Sequence, residues 1–309
     1  MQYMVLGRTG LTVSRLAFGA GPVSGLMTGD DESAQHETVL RAISLGVNWL
    51  DTAAGYGQGK SENSLGRVLQ ALPSETRSQV HVATKVRISL ANSESIGSQI
   101  RRGIEDSLKR LQVSRVTLLQ LHNGITRSEN DEPFSITPRD VLEASGVLPA
   151  FQQLQREGLV DWIGLTGTGE PESLRTVIRS GSFDTVQLPY NLLNPSAGQD
   201  MPAEFTERNY GNILADCLQQ RMGAFAIRVY AGGALLDQQP SAHTLTTPFF
   251  PLDLYHRDAE QARWLSQQAG AEPLQKKAVR FTLSHPAIHS AIIGFGAPEH
   301  VDEAVSGLS

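Results

Sequence analysis

The sequence predicts an α/β fold: a (β/α)8 barrel of the TIM type, with an N-terminal β-hairpin and long loops at its C-terminal face. Three observations predict it. Short apolar strands alternate with amphipathic helical patterns, which argues for parallel pairing through βαβ crossovers. The strand–helix unit recurs often enough along the 309 residues to close a barrel rather than leave an open sheet. The longest irregular stretches all follow strands, on the side where such barrels carry their chemistry.

The elements follow in order. "YMVLGRTGLTVS" reads as strand, Gly-Arg-Thr-Gly turn and strand, a hairpin signal. Barrel strands are predicted at Arg15–Phe18, Val47–Asp51, Val80–Lys85, Val116–His122, Ile163–Thr166, Thr185–Leu188, Gly223–Val229 and Ala291–Gly294. Helical patterns lie between them at Ala34–Leu45, Ser61–Leu72, Ser95–Leu111, Val147–Arg156, Glu172–Ser180, Asn212–Gln220, Asp258–Gln268 and Pro298–Val305. The clearest places Ile96, Ile100, Ile104, Leu108 and Leu111 on one face. Gly21–Ser33, Gly124–Asp140 and Asp237–Leu254 read as irregular loops over the mouth. No linker or low-complexity segment divides the chain, so residues 1–309 read as one domain.

Bulk properties exclude several classes. The chain is 40% hydrophobic and 19% charged, an ordinary globular composition. Net charge is -6 with no basic stripe, which argues against a nucleic-acid partner. A lone cysteine, Cys217, rules out a disulfide framework or a CxxC metal site, and reads as a small buried hydrophobe. The N-terminus lacks a signal-like segment and no apolar run reaches membrane-spanning length, so the expectation is a cytoplasmic enzyme without a membrane partner.

"DTAAGYGQGKS", Asp51–Ser61, imitates a phosphate-binding P-loop. That motif needs four residues between its first glycine and the Gly-Lys pair, and Gly55 and Gly59 enclose three. Lys60 and Ser61 instead read as the start of a surface helix, with Glu62 in its first turn. The glycines at 55, 57 and 59 read as those of a tight loop. "GAGPVSG" (Gly19–Gly25) has a proline and no helix directly behind it, and "GFGAPE" (Gly294–Glu299) lacks the third glycine. Neither is a Rossmann fingerprint. The second precedes a helix whose amides could face a phosphate.

The polar residues at strand ends carry the chemistry. Asp51 ends the second barrel strand, with Tyr56 in the loop behind it; Lys85 ends the third and His122 the fourth. Thr166 ends the fifth and Gln187 lies in the sixth. A buried lysine or aspartate is costly unless paired, so a structural ion pair is one reading. Three adjacent strands presenting Asp, Lys and His at the catalytic face favour a functional one. A tyrosine hydroxyl is ordinarily a poor acid at neutral pH, and a nearby ammonium favours phenolate. Lys85 supplies that charge, Asp51 holds it, and His122 donates a hydrogen bond to a carbonyl oxygen. The result is a proton donor aimed at a developing alkoxide. That chemistry needs a hydride, hence a nicotinamide cofactor.

These residues resemble the aldo-keto reductase family along nearly the whole chain. The matching features are the hairpin, "LDTAAGYGQGKSENSLGRVL", "VATK", "LLQLHN", "IGLTG", "VQLPYNLL" and "IIGFGAPEHVDEAV". The resemblance implies a (β/α)8 barrel that interconverts small aldehydes or ketones, sugars included, and their alcohols with NAD(P)H. It implies Tyr56 as general acid/base, Lys85 and Asp51 as its tuners, and His122 as the group that orients the carbonyl. Thr166 and Gln187 match positions that hold the nicotinamide carboxamide, and Gly21 a loop near the pyrophosphate. Gly294, Gly296, His300 and Glu303 match the adenosine-phosphate segment.

The chain also departs from the family pattern. Thr166-Gly167 stands where many relatives have Ser-Asn, and "IRVYAGG" where many have an aromatic or a Ser-Pro-Leu run. Ile227 or Arg228 would then pack on the nicotinamide. "GFGAPEHVDEA" lacks the Lys or Arg that binds the 2′-phosphate in many relatives. NADP(H) is the expected cofactor, with NAD(H) as the alternative.

Two competing readings remain. One is a Schiff-base lyase with Lys85 as nucleophile, which Asp51 argues against by keeping the lysine charged. The other is a non-catalytic cofactor-binding subunit. Tyr255, His256 and Arg257 read as a surface loop rather than as mouth residues.

Overall fold

The computed structural model describes residues 1–247, 252–268 and 272–308. The hairpin forms as expected: β1 (Tyr3–Val5) pairs antiparallel with β2 (Thr12–Ser14). Between them Gly7 has φ 49°, and a Cβ there would lie 2.4 Å from the backbone nitrogen of Gly223. Only glycine fits, and the hairpin sits tightly against the bottom of the barrel.

The barrel strands are β3 (Leu16–Gly19), β4 (Trp49–Asp51), β5 (His81–Val86), β6 (Val116–Leu121), β7 (Val160–Thr166), β8 (Thr185–Pro189), β9 (Gly223–Ile227) and β10 (Ile288–Gly294). All pair in parallel in chain order, and β10 pairs with β3 to close the barrel. Each predicted strand has its counterpart, with ends shifted by a few residues. The helices are α1 (Glu32–Ser44), α2 (Lys60–Ala71), α3 (Ser74–Ser78), α4 (Ile96–Leu111), α5 (Pro138–Leu142), α6 (Val147–Arg156), α7 (Pro171–Arg179), α8 (Ile213–Gln219), α9 (Ala242–Thr246), α10 (Leu252–Gln268), α11 (Leu274–Ser284) and α12 (Pro298–Ser306).

Several expectations need correction. The stretch read as irregular at 237–254 contains α9, started by the Ser241 hydroxyl accepting from the Thr244 N–H; its residues 248–251 lie outside the described residues. Tyr255, His256 and Arg257 are helical, inside α10. Tyr255 is buried and its hydroxyl donates to the Gln238 carbonyl, so it anchors the preceding loop. α2 starts at the surface with Lys60 but turns inward at once. Ser61 and Glu62 are fully buried, and Glu62 accepts from Thr84 (2.5 Å) and Arg110 (2.6 Å).

Inside the barrel, side chains alternate along each strand. Ala17, Trp49, Ala83, Leu118 and Phe225 form one interior cluster with Leu6 and Val13 of the hairpin segment. Trp49 and Phe225 fill most of it, ring centroids 4.7 Å apart. This apolar layer is the floor of what lies above.

Candidate active site

Two residues beyond that floor, toward the carboxyl ends, the alternation brings Asp51, Lys85 and Gln120 inward on β4, β5 and β6. All three are buried, as is Gln187 on β8. The Lys85 Nζ donates to Asp51 Oδ1, to the Thr52 carbonyl (2.9 Å) and to the Tyr56 hydroxyl oxygen (3.2 Å). Its three protons are thus committed. Asp51 Oδ2 accepts from the side-chain amides of Gln187 (2.5 Å) and Gln120 (3.2 Å). Burial opposes the lysine's charge, but Asp51 and the Tyr56 oxygen outweigh it, and its pKa lies above the ordinary value.

Tyr56 reaches this cluster through its turn. Gly57, Gln58 and Gly59 all have positive φ (58°, 55° and 90°), which swings the chain from the phenol directly into α2. A Cβ on Gly59 would lie 2.7 Å from Arg110 Cδ. Gly55 has φ -77° and open space where its Cβ would be, so this glycine is not required. Ser61 then explains the "GKS" lookalike: its hydroxyl donates to the Ala20 carbonyl (2.7 Å) and contacts Thr52 Oγ1 (2.7 Å). It braces the Tyr56 loop against the end of β3.

His122 stands just past β6, its backbone N–H on the Val86 carbonyl (2.8 Å). Its ring meets Tyr56 edge-on, centroids 5.6 Å apart at 83°. Burial, helped by the charges of Lys85 and Arg87, holds its pKa well below the ordinary 6.5. It is a neutral imidazole beside a phenol whose oxygen already accepts from an ammonium. Lys85 donates to that oxygen, so the phenol oxygen accepts from a cation.

The model of the Aldo/keto reductase family matches residues 15–308. The chain belongs to the aldo/keto reductase family. L-galactose dehydrogenase of Arabidopsis thaliana is 28% identical, covering all of this chain and 88% of that one. NADH-specific methylglyoxal reductase of Escherichia coli is 29% identical, covering all of this chain and 94% of that one. The holo form of an aldo-keto reductase from Bacillus halodurans superposes with TM-score 0.73 at 21% identity, covering 100% and 91% of the two chains. This aldo/keto reductase is therefore an oxidoreductase of carbonyl and alcohol compounds.

Of the remaining predicted residues, Gly21 lies against the Tyr56 ring, and Gly294 and Gly296 lie against Ser24. Thr166 Oγ1 and Ser24 Oγ are buried without a hydrogen-bond partner among the described residues. Each is a polar atom that a ligand could satisfy. A Cβ on Gly21 would sit 3.7 Å from the Tyr56 ring, and one on Gly294 3.7 Å from Ser24 Cβ. The two glycine-bearing segments thus converge beside Tyr56 and Ser24. Gly296 donates its N–H to His300 Nδ1 (3.3 Å), and Glu303 lies exposed on α12.

The departures have physical reasons. A side chain at Gly167 would lie 2.4 Å from Leu188 and 2.8 Å from the Gln187 carbonyl, so no asparagine fits. The Arg228 guanidinium is drawn to Asp258 Oδ2 (2.9 Å) on α10, whereas Ile227 stays half-buried at the end of β9. Sequence reasoning missed Gln120 and Asp258. The only signal for Gln120 was a lone amide within the apolar "VTLLQL". Cys217 is buried and burial pushes its thiol up to about 12, in keeping with a small hydrophobe. Among the described residues, no cluster of three His, Cys, Asp or Glu could hold a metal and no helix is long and apolar enough to cross a membrane.

Proposed function

We propose that this protein interconverts a small aldehyde or ketone and its alcohol by NAD(P)H-dependent hydride transfer, with Tyr56 as general acid/base. The observation that carries the reading is the Asp51–Lys85–Tyr56 chain of hydrogen bonds, with neutral His122 against the phenol ring. A bound nicotinamide supplies the hydride, which no side chain can. Thr166, Gln187 and Ile227 would hold its ring, Gly21 and Ser24 would approach the pyrophosphate, and Gly294, Gly296, His300 and Glu303 would line the adenosine end.

His122 donates one N–H to the carbonyl oxygen and orients it. Tyr56 gives its proton to that oxygen as charge develops there, and takes one back in the oxidative direction. Lys85 stabilises the phenolate left behind. Asp51, fixed by Gln120 and Gln187, keeps Lys85 charged, which also argues against a Schiff-base role. NADP(H) is the cofactor we favour. A second reading, NAD(H), is favoured by the residues 294–306, which include no Lys or Arg, and by the relative named for NADH specificity. Sugars are natural candidate substrates, as the name L-galactose dehydrogenase suggests.

Tyr56→Phe tests the assignment. Turnover should fall at least ~100-fold, the scale of a lost general acid, with cofactor affinity little changed. Turnover close to that of the unaltered enzyme would overturn it.

A further inference from the structure

The catalytic level is nearly neutral. Lys85 is matched by Asp51, and His122 is uncharged. Such a level orients a carbonyl but cannot select a charged substrate. The next side chain of the same parity on this chain segment is Arg87, roughly 7 Å further toward the mouth at strand spacing. It lies just past the end of β5 and is exposed. Its charge is close enough to act on both His122 and Tyr56.

Arg87 is also held in place. Its guanidinium carbon lies over the Phe134 ring, 5.2 Å from the centroid. Phe134 comes from the loop after β6, has φ 61° and is 52% exposed. A bulky residue rarely adopts that conformation without support. The support is Asn123, a buried neighbour of His122. Its Nδ2 donates to the carbonyls of Phe134 (2.7 Å) and Ile88 (2.9 Å), and its Oδ1 accepts from the Ile88 N–H (2.9 Å). One amide thus clamps the loop after β5 to the loop after β6. It brings a cation and an aromatic face together on the two loops that follow β5 and β6.

We propose that Arg87, backed by Phe134, is a specificity-determining residue that selects carbonyl substrates bearing an anionic group, carboxylate or phosphate, a few bonds from the carbonyl. A guanidinium matches either anion with paired N–H donors, and the aromatic wall excludes water from one side of the contact. The inference rests on the oxidoreductase reading above and deepens it.

The test is a set of aldehydes of matched length ending in a carboxylate, a phosphate ester or a neutral carboxamide, assayed with NADPH and NADH. The unaltered enzyme should prefer at least one anionic member over the carboxamide by roughly 10-fold or more in kcat/KM. The better of the two anionic arms identifies the anion. Arg87→Gln should erase that preference, bringing the anion-to-carboxamide ratio of kcat/KM close to one, chiefly through KM of the anionic member. Arg87→Lys should restore part of it. Thermal melts of each variant report on folding, and the comparison within the unaltered enzyme needs no variant at all. Equal use of all three aldehydes, or a preference that survives in Arg87→Gln, overturns the inference and leaves the oxidoreductase reading intact. No turnover of any of the three with either cofactor removes both.

Discussion

Lys85 and Asp51 are buried together, and each accounts for the other's charge. Removing one would strand its partner, a cost of about 3–5 kcal/mol for a buried pair. The two glutamines that grip Asp51 show why the pair is more than an ion pair: they fix the carboxylate, which fixes the ammonium, which fixes the phenol. His122 yields a pH prediction. Burial and the neighbouring cations lower its pKa, so imidazolium forms only as pH falls well below the ordinary 6.5. Between about pH 8 and about pH 6, kcat/KM for reduction should vary in parallel in the unaltered enzyme and in His122→Gln, though the variant is slower. An acid limb near the ordinary histidine value that is present in the first and absent from the second would contradict it. That Asp51 and Lys85 meet was legible because a charge that closes an apolar strand is costly to bury unless it is paired or put to use. Gln120 was not, because a glutamine inside a strand carries no motif, and its role depends on a partner on β4. Nor was the burial of Ser61 and Glu62: Ser61 bonds the Ala20 carbonyl and Thr52, and Glu62 has its partners on β5 and α4.

At the scale of elements, the helices that were readable carry strong signals. α4 has its apolar stripe and a Ser95 side chain accepting from the Ser98 N–H (3.2 Å). α11 was overlooked because "LQKKAVRFTLS" mixes charges into its pattern, with only Pro273 before it as a start signal. α10 was read too short for a similar reason: its first turn holds Asp253 among apolar residues and begins beside a proline-bearing stretch. Packing between α2 and α4 gives a test of the fold itself. A Cβ at Gly66 would lie 2.3 Å from the Arg110 carbonyl oxygen, a backbone atom that cannot swing away. Gly66→Ala should therefore destabilise by about 1–3 kcal/mol, overpacking outweighing the gain in helix propensity. Gly97→Ala is the matched control. Its nearest neighbour would be Ala150 Cβ at 4.0 Å, so it should be neutral or slightly stabilising. Thermal melts of both decide it, and a stable Gly66→Ala would show that the two helices do not sit this close.

For the whole molecule, the barrel separates support from chemistry. The hairpin and the Trp49–Phe225 floor fill the lower end. The upper end exposes polar groups that the floor keeps dry from below, and the loops after β3, β5, β6 and β10 supply its walls. The closed eight-stranded topology was legible because the strand–helix alternation leaves few alternatives. The wall geometry was not, because loops carry no periodicity. Arg87 on the loop after β5 meets Phe134 on the loop after β6, which Asn123 of that same loop holds. The central claim is that this mouth binds a nicotinamide dinucleotide beside Tyr56. Intrinsic fluorescence tests it without knowledge of the substrate, since Trp49 lies in the barrel interior directly beneath Asp51, with Trp162 and Trp264 as further reporters. Titration with NADPH and with NADH should each give a saturable change for at least one of them, and the ratio of the two affinities tells which cofactor the His300 segment accepts. No saturable change with either, and no heat of binding by calorimetry, would contradict the account.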